Sequence, residues 1–220
     1  MGRKIITTAD GSKTIYIEEW NEHYHSKHGA VQEAYHVFIR NGLHLFTDTG
    51  IAILEMGFGT GLNALATLLE APKQRLKIHY TGIEKYPIAK NELIQLNYAQ
   101  QLGEPELASS LALMHACEWG RETPITDTFS LKKEKGDFLE MDYEGKFHLV
   151  YFDAFGPRVQ PELWEEDLFH KVYRAMRPQG VLVTYSAKGS VRRAMQSVGF
   201  VVERLPGPPG KREMLRASKP

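Results

Sequence analysis

Apolar positions in this chain switch between two periods. The apolar run Ile51–Leu54 reads as a buried strand, Leu76–Ile83 alternate into a second, and Phe129–Lys133, Phe147–Phe152 and Gly180–Ser186 read as further strands. Between them the spacing becomes helical. Leu62, Leu65, Ala66 and Leu69 form one apolar face before Pro72. Pro161 opens a second helix whose Trp164, Leu168, Val172 and Ala175 share a face, and Pro178 ends it. Ser190 caps a third, with Val191, Ala194, Met195 and Val198 inward and Gly199 as its stop. The pattern also predicts helices from Pro87 to about Gln101 and from Pro105 to Met114. A loop follows, holding His115–Gly120 and Thr123-Pro124. The tail reads as strands Phe200–Leu205 and Glu213–Ala217, joined by the stiff Pro206–Arg212 link. At the other end, Lys4–Thr8 and Thr14–Glu18 flank an Asp10-Gly11 turn, and Gly29–Asn41 reads as a helix stopped by Gly42. Strand and helix alternation of this kind predicts an α/β fold with a mostly parallel, doubly wound sheet and a C-terminal antiparallel hairpin. Residues 1–46 would form a β-hairpin and helical cap within the same domain as 47–220, with no linker or repeat.

The chemistry concentrates after the first strand. Glu55-Met-Gly-Phe-Gly-Thr-Gly-Leu-Asn63 places glycines at 57, 59 and 61 between strand and helix. A dinucleotide fingerprint would hold its last glycine one position later. Glu55 stands just before the first glycine, where a carboxylate would repel a pyrophosphate and attract the ammonium of a methionine moiety. The stretch therefore predicts a Rossmann-like S-adenosyl-L-methionine site. Glu84 ends the next strand, 23 residues past Gly61 (84 − 61). It suits two ribose hydroxyls better than a plain solvated charge. Asp137 ends another strand and is either an adenine contact or a turn residue. Asp153, after Phe147–Phe152, falls at the reacting end, because ligands of doubly wound sheets lie beyond the strands' carboxyl ends.

Bulk properties narrow the class. The chain has 220 residues, 42% hydrophobic and 25% charged, enough for one α/β domain. Lys plus Arg equals Asp plus Glu, so net charge is zero. That argues against non-specific adhesion to nucleic acid but leaves room for a local basic face. The single cysteine, Cys117, reads as structural and fits a reducing compartment. With no membrane-length apolar run and no signal-peptide core, the expected location is the cytoplasm. Histidines at 23, 25, 28, 36 and 44 lack the spacing of a zinc motif, so no metal is expected.

Four stretches together resemble a known family. They are Ser26–Glu33 with His36-Val-Phe38; Leu54–Asn63; Tyr151–Pro157 with Pro161–Trp164; and Pro206-Gly to Gly210-Lys-Arg-Glu-Met214. They are similar to the bacterial methyltransferases that complete 5-methylaminomethyl-2-thiouridine at the tRNA wobble position: the methyltransferase half of the bifunctional MnmC proteins and its stand-alone MnmD form. The resemblance implies a class I methyltransferase fold and methylation of the primary amine of 5-aminomethyl-2-thiouridine. It implies no flavin, since no residues remain here for the oxidase half. A separate oxidase would then supply the aminomethyl intermediate. Carried onto this chain, cofactor contacts fall to Glu55, Gly57, Phe58, Gly59, Thr60, Gly61, Asn63, Glu84 and Asp137. Asp153 becomes the catalytic residue, orienting the amine first and taking its proton second. The loop after Asp153 departs from the bifunctional pattern around Gly156, Arg158 and Val159.

An anticodon arm needs phosphate contacts. Lys188, Arg192, Arg193, Lys211, Arg212 and Arg216 all come from the C-terminal third, and Arg158 precedes them. A splayed base would stack on an aromatic, with Phe155 the candidate and Trp164 better read as core. The rivals are an aminopropyltransferase resembling spermidine synthase, a small-amine methyltransferase, and a non-catalytic module that binds the cofactor or tRNA.

Overall fold

A computed structural model describes residues 2–220. Strands β1 (Arg3–Thr7), β2 (Lys13–Ile17) and β3 (Glu22–His23) form a small antiparallel sheet, with Ile5 opposite Ile15. Helix α1 (Ala30–Ala34) follows. The main sheet begins with β4 (Gly50–Met56), helix α2 (Leu62–Glu70) and β5 (Lys77–Glu84). Short helices α3 (Lys90–Leu93) and α4 (Tyr98–Gln101) lead to α5 (Leu107–Ala116), β6 (Glu122–Thr126) and β7 (Phe129–Lys135). The chain then crosses over to β8 (Phe147–Phe152), α6 (Glu166–Ala175), β9 (Met176–Thr184), α7 (Gly189–Ser197) and the hairpin β10 (Val201–Pro206) and β11 (Glu213–Ser218).

The large sheet has eight strands in the order β10-β11-β9-β8-β4-β5-β7-β6. Pairings from β9 through β7 are parallel; β11 on β9, β10 on β11 and β6 on β7 are antiparallel. This is the doubly wound, mostly parallel sheet that the alternation predicts, and its order reverses between β4 and β8. Side chains alternate across it, as strand geometry requires. Leu149 and Tyr151 enter the core beneath α2 and α5, while Val150 and Phe152 enter the core beneath α6 and α7. Ala30, Ala34, Val37, Phe38 and Ile39 belong to the first of these cores, so the N-terminal helix is packed on the sheet.

Several elements depart from the periodicity. The helix expected over Gly29–Asn41 is α-helical only to Ala34 and continues as a π-helical turn, Tyr35–Arg40. The helix expected from Pro87 to Gln101 is two short pieces. Between them Asn97 accepts from the Lys13 amide at 2.8 Å and donates to the Gly11 carbonyl at 3.0 Å, which ties the backbone to the small sheet. The loop expected around Thr123-Pro124 contains β6, an edge strand. Pro124 is tolerated there because an edge residue can lack a donor, and the register shifts beside it. Pro161 opens a 3₁₀ turn, with α6 starting at Glu166. Pro178 lies within β9, not at a helix end. Lys188, not Ser190, is the residue before α7, and it makes no side-chain capping bond.

Candidate active site

The carboxyl ends of β4, β5 and β8 are stitched together by backbone. Gly57 and Phe58 both donate to the Ile83 carbonyl, at 3.1 and 3.0 Å, and Asp153 N–H donates to the Met56 carbonyl at 3.1 Å. Gly57 has φ +99°, and a Cβ there would lie 2.8 Å from the Asp153 carbonyl oxygen. Only glycine allows this approach. The result is a crevice of about 600 Å³ at the strand-order reversal.

The crevice brings together most residues singled out from the sequence. Glu55, Gly57, Phe58, Gly59, Thr60, Asn63, Glu84, Asp137, Asp153, Phe155 and Lys211 all line it. Gly61 does not. It stands at the start of α2 with φ +76°, packed under His115 and Phe58. On the floor, the Asn63 amide nitrogen donates to Glu55 Oε1 at 2.9 Å and to Asp153 Oδ2 at 2.8 Å. Two carboxyls thus share one donor. Burial, with the neighbouring Asp153 charge second, pushes the Glu55 pKa well up. Burial and then the Glu33 charge do the same for Asp153, against the opposing Asn63 bond and Lys211 charge. Asp153 stays partly accessible, and its exposed side is the crevice.

Glu84 accepts from the Gly59 amide at 2.9 Å and the Tyr86 amide at 2.7 Å, which holds it at the crevice rim. Asp137 is engaged by Lys85 at 2.6 Å and the Leu139 amide at 2.9 Å, and its pKa is lowered despite burial. Phe58 is buried against Gly82, where a Cβ would come within 2.6 Å of its ring.

One wall of the crevice comes from residues that the periodicity did not reveal. Trp20 and Tyr24 meet the Phe155 ring edge-on, each at 5.2 Å. Glu33 is buried and accepts from the Ser26 amide at 2.8 Å and from Lys211 Nζ at 2.5 Å. Lys211 also lies over the Tyr185 ring at 3.8 Å, and Tyr185 donates to the Ala154 carbonyl at 2.8 Å. Glu33 sits in the Ser26–Glu33 stretch of the resemblance, the one signal that could have found it. Trp164 is core: it is buried, packs on Phe152, and donates to the Phe155 carbonyl at 2.8 Å.

The basic residues divide. Lys188, Arg158, Lys211 and Arg212 line a shallow groove that adjoins the crevice through Gly156 and Tyr185. One Arg158 nitrogen donates to the Trp20 and Asn21 carbonyls, both at 3.0 Å, and to Glu22 at 2.9 Å, clamping β3 to the loop after β8. Arg192 and Arg193, on α7, line neither the crevice nor this groove, and the Arg192 Nε is buried without a partner among the described residues. Arg216, on β11, pairs with Glu203 at 3.0 Å. Of the histidines of 21–46, His23, His25 and His28 line the crevice, His25 also bonding Thr14, whereas His36 bonds the Pro206 carbonyl and His44 faces Glu70.

Residues 128–220 match the model of a family described as S-adenosyl-L-methionine-dependent methyltransferase. The structure of MnmC2 from Aquifex aeolicus superposes with a TM-score of 0.80 at 28% identity, covering 100% of this chain and 71% of that one. Over residues 128–220, then, the chain is similar to the S-adenosyl-L-methionine-dependent methyltransferases. Among curated relatives is the tRNA 5-methylaminomethyl-2-thiouridine biosynthesis bifunctional protein MnmC of Aromatoleum aromaticum. It is 35% identical over 208 residues, 88% of this chain and 32% of the relative. The protein of the same name from Cupriavidus necator is 34% identical, over 97% of this chain and 34% of its own length. The chain thus spans about a third of the length of the curated relatives it matches. Spermidine synthase from Thermotoga maritima shares the fold, with a TM-score of 0.58 over 99% of this chain and 73% of that one, but only 12% identity. Two observations fit the methyl donor to the crevice. Glu55 Oε2 and Asn63 Oδ1 are buried without a hydrogen-bond partner among the described residues, although the Tyr80 hydroxyl lies beside Glu55. At Gly57 and Gly59 the turn presents bare backbone to the crevice.

Proposed function

We propose that this methyltransferase converts the primary amine of 5-aminomethyl-2-thiouridine, at the tRNA wobble position, to the methylamine. The observation that carries this reading is Asp153: a crevice-facing carboxyl of raised pKa, at the strand-order reversal, beside a groove lined by Lys188, Lys211 and Arg212. The names of the curated relatives support the same reaction.

S-adenosyl-L-methionine supplies a methyl group already activated on sulfonium. The protein's task is then alignment and management of one proton. Glu55 and Asn63, on the crevice floor, would hold the amino-acid end, and Glu84, at the rim, the ribose. Asp137, with Lys85 and Leu139, borders the adenine end. Asp153 accepts an N–H of the acceptor amine and turns the nitrogen lone pair toward the methyl group. As the N–C bond forms, the sulfonium C–S bond breaks, the neutral thioether S-adenosyl-L-homocysteine leaves, and Asp153 takes the proton released from nitrogen. Its raised pKa makes it a better base than an ordinary aspartate. Phe155, supported by Trp20 and Tyr24, stacks on the splayed base, and Lys188 and Arg212 contact phosphates of the anticodon arm. Arg158, engaged with β3, positions the loop that carries Phe155. Arg192 and Arg193, which line neither crevice nor groove, are left out of this surface. No helix among the described residues is long and apolar enough to cross a membrane, and the proposed reaction belongs in the cytoplasm with tRNA. The acceptor would come from an oxidase acting on the same nucleoside.

The test is transfer from labelled S-adenosyl-L-methionine to tRNA of a strain lacking the activity, followed by nucleoside analysis. We expect 5-aminomethyl-2-thiouridine to become its methylamino form. Asp153→Ala should bind the donor yet lose transfer by about a hundred-fold or more, the scale of a general base. Transfer to putrescine or another small amine, with none to tRNA, would overturn the assignment.

A further inference from the structure

Thr60 lies inside the glycine turn, yet its hydroxyl and carbonyl are held by scaffold. Its hydroxyl takes a hydrogen bond from Tyr98 at 3.1 Å and lies 3.4 Å from His25 Nε2. Its carbonyl oxygen is 3.0 Å from His115 Nε2. A carbonyl can only accept, so this ring nitrogen carries the proton and donates it.

His115 comes from the last turn of α5, in the stretch between Gly103 and Asp127 to which the sequence assigned no role. Its ring packs 5.4 Å from that of Phe58 and is the first atom a Cβ on Gly61 would meet, at 3.1 Å. The backbone carbonyl of His115 is itself gripped. Lys133, on β7, donates to it at 2.6 Å. Lys133 is only 1% exposed, and its ammonium lies 4.6 Å from the Trp119 ring centroid. A lysine is rarely this buried without a specific task. Burial lowers the pKa of both His115 and Lys133, which suits a neutral imidazole donating a single proton.

We propose that Lys133 and His115 form a brace behind the glycine turn: Lys133 fixes the end of α5, and His115 fixes Thr60, so that the turn is already shaped for the methyl donor. They are positioning residues, since neither lines the crevice. The segment 103–127 thus has a role in donor affinity. The proposal rests on the chain being an S-adenosyl-L-methionine-dependent methyltransferase and not on the acceptor, so failure of the tRNA reading leaves it untouched.

The test is titration calorimetry of the whole chain with S-adenosyl-L-methionine, comparing His115→Gln and His115→Asn. Glutamine can place an N–H where Nε2 stands; asparagine is one methylene short. We expect His115→Gln to bind within about three-fold of wild type and His115→Asn about ten-fold more weakly, the scale of one lost hydrogen bond to a buried acceptor. At saturating donor, kcat should stay within about two-fold. Equal affinity for both variants, whether wild-type or equally reduced, would overturn the brace and leave His115 a packing residue. If His115→Asn does not fold, Lys133→Met decides: a several-fold loss of donor affinity with a cooperative melt supports the brace, and wild-type affinity overturns it.

Discussion

Asp153 and Glu55 converge on the single amide of Asn63, and both carboxyls are raised in pKa chiefly by burial. Such a group binds its proton more tightly in the folded chain than in the unfolded one. The stability it contributes is therefore present at low pH and is lost as pH rises from the ordinary carboxylate range through the raised folded value. Replacing one carboxylate by an amide should relieve that loss. Asp153→Asn keeps an oxygen for Asn63 and is expected to abolish methyl transfer while raising the melting temperature at pH 8 by about 2–4 °C, equivalent to roughly 1 kcal/mol in a domain of this size. The gain should shrink toward pH 4, where the wild-type carboxyls are protonated. Thermal melts across that range check it; a destabilised variant at pH 8 would show that the two charges are not in conflict.

At the scale of the element, the glycine turn works because its neighbours leave room for it. Gly82 on β5 is as necessary as the glycines of the turn, since a Cβ there would press to 2.6 Å from the Phe58 ring, which is buried and backed by His115. Gly82→Val should displace Phe58, lower the melting temperature, and weaken donor binding by about ten-fold, within the ~1–3 kcal/mol typical of overpacking. Calorimetry with the donor measures this, and unchanged affinity would show that Phe58 moves without disturbing the turn. The same scale explains where periodicity misled. Apolar spacing over 87–101 is compatible with one helix, but Asn97 is captured by the small sheet, a contact between segments far apart in the chain. The strand at Glu122–Thr126 exists because β7 offers it an edge, which no local pattern around Pro124 announces.

Over the whole molecule, zero net charge coexists with a basic groove beside the crevice. The cations that line it are a subset of those clustered in sequence. Arg216 is paired with Glu203, Lys211 with Glu33, and Arg158 with Glu22, which leaves Lys188 and Arg212 as the exposed groove cations without a salt bridge to a described residue. The double variant Lys188→Ala, Arg212→Ala should weaken tRNA binding and flatten its log–log salt dependence by about 0.7 per lost contact to single-stranded phosphate. Filter binding over a salt series reads this. An unchanged slope would move the tRNA face elsewhere.

The sequence by itself determined the alternating elements, the glycine turn and the acids at strand ends, because strand period, helix period and turn chemistry are local properties. It also placed Asp153 correctly at the strand-order reversal, since that position follows from topology. Only the tertiary structure decided which side chains meet there. Glu33, Tyr185, Trp20 and Tyr24 enter the crevice from the N-terminal cap and the end of β9, and His115 reaches Thr60 across 55 residues. Contacts of that span depend on how whole elements pack, and packing leaves no period along the chain to read.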